Sequence, residues 1–179
     1  VFYGCLPPVS KNDTWSQNTL DKLTLREKIA QMMIYRMNLR MKDIPVEKWE
    51  KILELIDKDG IGGIHFWYGE ASTSLTMLNK MQSRSKVPIL VDADIEHGLH
   101  QRFPEGTEVP PFMAIAASNR LENAYKVGKI VARESRAVGI HWNFSPVVDV
   151  NNNPNNPIIN VRSFSEDPSV VSSYATQYI

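Results

Sequence analysis

Apolar residues recur along the chain in two different rhythms. In VEKWEKILELIDKDG, Val46, Trp49, Ile52, Leu53 and Ile56 fall three or four apart, the spacing that lines one face of a helix, and Gly60 closes the segment. ASTSLTMLNKMQSRS and ENAYKVGKIVARESRAVG follow the same rule, the second ending at Gly139. TLREKIAQM opens a further helix, because Thr24 and Glu27 three residues on make a capping box. DPSVVSSYATQYI begins a last one, with Asp167 as cap and Pro168 in its first turn. Between these lie the short apolar runs MMIYRM, IGGIHFW, VPILVDAD and IHWNFSPVVDV, which predict strands, the last of them reaching Asp149.

Strands that are apolar throughout, alternating with amphipathic helices, predict a parallel sheet covered by helices. Two architectures compete, an open doubly wound sheet and a (β/α)8 barrel. No Gly-rich phosphate turn follows the first strand, which weakens the nucleotide-binding version of the open sheet. Four units fill Thr24 to Ile179 at about 39 residues each, so eight would need roughly 310, within the range of a barrel. The predicted fold class is therefore α/β, the amino-terminal half, about four βα units, of a (β/α)8 TIM-like barrel. Residues 1–23 read as an amino-terminal linker and residues 24–179 as a partial barrel domain that stops before a fifth strand.

Composition narrows the partners. With 42% hydrophobic residues, 22% charged residues and no net charge, the chain is expected to be a soluble globular protein with one real core. It has no Lys/Arg cluster to track nucleic acid and no apolar stretch near the roughly 20 residues of a membrane span. Cys5 is the only cysteine, so neither an intrachain disulfide nor a cysteine metal cluster is expected. VFYGC has two readings that stand side by side: the stump of a lipoprotein signal with Cys5 as the lipidated residue, or a chance cysteine in a frayed terminus. The first places the protein outside the cytoplasm, in the periplasm or on an outer surface; the second leaves the cytoplasm as the alternative. Asn12 and Asn143 match glycosylation sequons, the latter inside an apolar run where burial is expected.

The candidate chemistry lies where strands end, since parallel architectures carry function at their carboxyl ends. Asp92, Asp94, Glu96, His97, His100 and Arg102 fall within eleven residues, the densest polar group in the chain. Three readings are open: a metal site, a solvated loop, or recognition of a polyol by carboxylate and guanidinium together. The metal reading is weakened by the lack of HxH or HExxH spacing and by the positive charge of Arg102. Trp15 and Trp49 are expected to pack, Trp67 either to pack or to offer a platform to a sugar face, and Met32, Met33, Met37 and Met41 to fill core space. His65 and His141, inside strands, are expected to be satisfied core histidines.

The stretches LTLREKIAQM, VDADIEHGLHQRF with GTEVPPFMAIAAS, and ARESRAVGIHWNFSPVVDVNNNPNNPIINVRSFSEDP resemble the amino-terminal barrel of glycoside hydrolase family 3, especially its bacterial β-N-acetylglucosaminidase (β-hexosaminidase)-like branch. The resemblance implies a retaining, exo-acting enzyme that removes terminal β-linked sugars without a cofactor or metal. It places the sugar-contacting side chains at Asp94, Arg102 and Arg162, and Glu96 and Gly98 keep the family's acidic and glycine positions. It also implies that no catalytic residue lies in this stretch. The nucleophilic Asp belongs to a late strand and the proton donor to a His-containing loop after strand five, both downstream of Ile179, so residues 1–179 alone are expected to be inactive and to lack the carboxy-terminal half of the barrel. NPNNPIINVRSF favours the hexosaminidase branch over a β-glucosidase or β-xylosidase of the same family, with a non-catalytic sugar-binding module as a third reading. In this frame the loop carrying six asparagines between residues 151 and 160 holds Arg162 over the pocket, with Val161 and Phe164 as apolar anchors. The alternative is that Arg162 pairs with Glu166 or Asp167 and merely pins the loop.

Overall fold

Four short strands, β1 (Ile34–Arg36), β2 (Gly63–His65), β3 (Leu90–Ala93) and β4 (Trp142–Asn143), pair in parallel in the order β1-β2-β3-β4. The computed structural model describes residues 14–37 and 40–179. Cys5 and Asn12, and the readings attached to them, lie outside the described residues. Register is fixed by the apolar pattern: Ile34 pairs Gly63, Ile64 pairs Val91, and Asp92 pairs Trp142. Seven helices among the described residues accompany the sheet: α1 (Thr14–Lys22), α2 (Leu25–Ala30), α3 (Val46–Glu54), α4 (Ala71–Arg84), α5 (Phe112–Ala117), α6 (Leu121–Ala137) and α7 (Pro168–Tyr178). The α/β class and parallel sheet are as expected, and the described sheet is open at both edges.

Local chemistry explains most boundaries. The capping box at α2 forms in full, with the Thr24 hydroxyl accepting from the Glu27 N–H at 3.3 Å and the Glu27 carboxylate accepting from the Thr24 N–H at 2.7 Å. Asp167 caps α7 by accepting from the Ser169 N–H at 2.7 Å. A π-turn, Leu55–Asp59, carries the chain from α3 to Gly60, which takes φ +70°. Two differences from expectation stand out. The fourth strand is two residues long: the Phe144 N–H still donates to the Ala93 carbonyl at 3.1 Å, and beyond it the backbone leaves the ladder instead of continuing to Asp149. The stretch read as a linker contains helix α1, which buries none of its residues.

Two packed groups hold the fold together. Ile64, Val91 and Ala93 from the strands, with Phe66 and Ile140 just outside them and Ile56 from the π-turn, meet Ile52, Leu78, Met81 and Val131 from the helices. A second group forms under the long loop after β4: Phe112 packs on Phe164 at 4.8 Å between ring centroids and edge-on to Tyr178 at 5.5 Å. Helices α6 and α7 approach so closely at Gly128 that a Cβ there would lie 2.1 Å from the Tyr178 carbonyl oxygen. Several apolar residues expected inside are exposed: Trp15, Met32 and Met33, the last of them lining a groove at the β1 edge with Leu25, Ile29, Ile34 and Ile61. Met37 is buried and Trp49 packs against the core, as expected.

Candidate functional site

The carboxyl ends of β1, β2 and β3 bring Arg36, His65 and Asp92 side by side, since each is the register partner of the next. Asp94 follows two residues beyond Asp92, and its side chain is 39% exposed, open enough to meet a ligand. Arg102 reaches back from the 3₁₀ turn Leu99–Gln101, where the chain reverses after Gly98, and is almost wholly enclosed. Its Nε donates to the Asp94 carbonyl at 2.7 Å, Nη1 to the Trp67 carbonyl at 3.2 Å, and Nη2 to Asp94 Oδ2 at 3.4 Å. Three converging acceptors fix the guanidinium plane, and with it the Asp94 carboxylate. Burial pulls the Arg102 pKa down, and the nearby Asp94 and Glu96 charges oppose that shift.

Arg162 takes a different partner from the one expected. It forms a two-pronged pair with Glu96, Nε to Oε2 and Nη2 to Oε1 both at 2.8 Å, while Nη1 donates to the Ile158 carbonyl at 3.2 Å. The hydrogen bonds to Glu96 hold the Arg162 pKa above its ordinary value, and Asp149 and Asp94 add to the same field. Neither Glu166 nor Asp167 takes the guanidinium. Of the two expected anchors only Phe164 is buried; Val161 is 44% exposed. The loop is pinned instead by the Ser163 hydroxyl, which donates to the Asp149 carbonyl at 2.5 Å and accepts from the Ser165 N–H at 3.2 Å, and by asparagines turned on their own backbone, as Asn153 is toward the Asn155 N–H at 3.0 Å. A guanidinium has five N–H groups. Three are used here, so two remain free to meet a ligand.

Aromatic and amide residues surround these charges. Trp67 lies between two cations, with the Arg102 guanidinium 4.8 Å and that of Arg36 5.2 Å from its ring centre, so its role is to support Arg102. His100 bonds the Pro104 carbonyl of its own loop at 3.0 Å. Gln101 accepts from the Glu96 and His97 N–H groups at 2.7 and 3.1 Å and so shapes the turn that carries Glu96. The Asn143 side chain accepts from the Ile95 N–H at 3.0 Å and donates to the Ile95 carbonyl at 3.4 Å, which commits this sequon asparagine to the fold. His141 lies exposed before β4, its Nδ1 accepting from the Val91 N–H at 3.1 Å, and is no core residue.

His65 is the residue that periodicity misjudged. Its Nδ1 bonds Asp92 Oδ1, and its Nε2 stands 3.8 Å from Asp94 Oδ2, so it belongs to the site. Burial, more than any other influence, pushes the Asp92 carboxyl up from its ordinary value, while the bond to His65 pulls the other way. The signal was present in the sequence, since consecutive parallel strands place the polar ends of IGGIHFW and VPILVDAD next to each other. Among the described residues no group of three or more His, Cys, Asp or Glu side chains is arranged to hold a metal ion.

Parallel strands in the sequential order β1-β2-β3-β4, with acidic, basic and aromatic side chains gathered beyond their carboxyl ends, are the arrangement of a β/α-barrel domain. The family follows from the comparisons: the glycosyl hydrolase family 3 N terminal domain matches residues 24–179, and the chain belongs to that family. It is 34% identical over 119 residues to a beta-N-acetylglucosaminidase/beta-glucosidase of Cellulomonas fimi, covering 66% of this chain and 21% of that protein. To beta-hexosaminidase A of Pseudoalteromonas piscicida it is 38% identical over 135 residues, covering 68% of this chain and 23% of that protein. The chain thus spans between a fifth and a quarter of the length of these relatives. A family 3 beta-N-acetylglucosaminidase from Paenibacillus superposes with a TM-score of 0.76 at 32% identity, over 88% of this chain and 30% of that one. A beta-glucoside phosphorylase, BglX, superposes with a TM-score of 0.82 at 28% identity, over 92% of this chain and 29% of that one.

Proposed function

We propose that the protein is a retaining, exo-acting glycoside hydrolase that releases terminal β-linked N-acetylglucosamine, and that this stretch supplies contacts to the sugar hydroxyls. The observation that carries the reading is Asp94: a half-exposed carboxylate at the mouth of the sheet, braced on one oxygen by Arg102, with Oδ1 taken by no protein donor among the described residues. Ionised, it is an acceptor held in place before a hydroxyl arrives, which spares the cost of ordering it on binding. Arg162, steadied by Glu96, offers its two remaining N–H groups from the opposite loop. The names of the relatives from Cellulomonas, Pseudoalteromonas and Paenibacillus support the choice of sugar.

A β-glucosidase is the second reading, favoured by the double name of the Cellulomonas relative. Paired kinetics on aryl β-N-acetylglucosaminide and aryl β-glucoside separate the two: a higher kcat/KM on the first supports our reading, and a clear preference for the second replaces it. The same proposal places the protein outside the cytoplasm, tethered by lipid at Cys5. Metabolic labelling with a radioactive fatty acid tests this, and label that persists in Cys5→Ser rejects it.

A further inference from the structure

The contact between His65 and Asp92 touches no sugar hydroxyl directly, yet it is costly. Asp92 is wholly buried, and while Oδ1 bonds His65, Oδ2 has no partner. A buried carboxylate with one oxygen unpaired lowers stability, so the pair is expected to hold something else in place. What it holds is the imidazole. One ring nitrogen is tied to Asp92, one face stacks on Phe144 at 6.1 Å and 22°, and Arg36 is its neighbour on β1. The remaining nitrogen, Nε2, faces Asp94 Oδ2 at 3.8 Å, the same oxygen that Arg102 Nη2 reaches from the other side at 3.4 Å.

We propose that His65 is a positioning residue: anchored by Asp92, its ring and the Arg102 guanidinium bracket Oδ2 of Asp94 and so aim Oδ1 at a sugar hydroxyl. The role rests on the reading of Asp94 as a hydroxyl ligand. Asp94 sits on a loop, and Arg102 alone restrains it from one side; a second contact removes the rotation about its side chain that would otherwise be lost on binding. His65 at the end of β2 is therefore a determinant of the site, while Ile64 beside it belongs to the core.

The test is N-acetylglucosamine binding by calorimetry to the full chain as its gene encodes it, in the parent, His65→Leu and His65→Gln, with Asp94→Ala as control. Leu fills the space without a donor, whereas the Gln amide can present one to Asp94. His65→Leu should bind about tenfold more weakly, the scale of one misplaced charge-assisted hydrogen bond. His65→Gln should recover most of that at a similar Tm, a rescue that simple packing would not give. In the parent, the 15N resonance of His65 Nε2 should also move when the sugar saturates the site, which is readable even if the Leu variant fails to fold. An unmoved resonance, or undiminished binding by His65→Leu, overturns the role of His65 alone. No binding by the parent overturns the hydroxyl reading of Asp94, and the His65 role with it.

Discussion

Replacing Arg162 by Lys tests whether the loop after β4 is part of the site or only beside it. The parent side chain makes two parallel 2.8 Å bonds to Glu96, whose side chain is 11% exposed against 37% for Arg162. A lysine keeps the charge but can place only one donor on that carboxylate. A hydrogen bond to a charged group contributes about 1.5–3 kcal/mol when enclosed, and an exposed ion pair about 0.2–1 kcal/mol. The half-open setting falls between, so the loss should be about 1 kcal/mol, or a Tm lower by about 2–4 °C. The loop itself should survive, because Ser163 on Asp149 and Phe164 under Phe112 hold it independently. Activity should suffer more than stability: with the guanidinium plane gone, kcat/KM on the preferred aryl glycoside should fall by about tenfold or more. Thermal unfolding and steady-state kinetics on the full chain, run for Arg162→Lys, Glu96→Gln and the double variant, form a cycle. Effects that simply add would show the pair to be uncoupled. A variant as active as the parent would refute the placement of Arg162 in the site.

Four further outcomes are expected. Burial raises the Asp92 carboxyl above its ordinary 3.8, so the folded state holds that proton longer than the unfolded one; the stability this contributes is full below that value and is lost as pH rises through the raised one. Urea titrations of Asp92→Asn from about pH 4 upward should therefore lack this limb of the parent's stability curve. Gly128→Ala puts a methyl group where the Tyr178 carbonyl stands and should cost about 1–3 kcal/mol, seen as a Tm lower by roughly 2–10 °C, with the α6 to α7 contact loosened. Thr24→Ala removes the hydroxyl half of a fully formed capping box and should cost about 1 kcal/mol by chemical denaturation; no change would mean that α2 is held by packing alone. A polypeptide of residues 1–179 should not turn over aryl N-acetylglucosaminides, because Glu96 is tied to Arg162 and Asp92 is buried, which leaves Asp94 without a second free carboxylate in the described site.

What could be read from the chain and what could not divide along physical lines. Helices announced by period and cap, such as α3, α6 and α7, appear within a few residues of expectation, because amphipathic spacing and local hydrogen bonds are both sequence-local. The fourth strand is shorter than its apolar run: Val147 and Val148 are apolar, yet the backbone has left the ladder after Phe144, and only the neighbouring segment reveals that. Asp94 and Arg102, eight residues apart, meet across a single turn. Arg162 arrived near them by way of Glu96, a partner 66 residues away that no spacing rule points to. The period of its own strand makes His65 a core residue, whereas its surroundings depend on the polar end of the next strand.

Asn143 shows how the short fourth strand is tolerated. Its carboxamide offers Ile95 an acceptor and a donor at once, the same two functions a peptide group would present there. One side chain therefore takes the place of the next rung of the ladder, beyond the bond from the Phe144 N–H to the Ala93 carbonyl, and the main chain is free to turn away there. That release is what lets the polypeptide swing outward and return with Arg162. An aspartate could supply only acceptors at this point, and a glutamine would stand one methylene too far out, so the contact to Ile95 depends on the length and the two-sided polarity of a single amide.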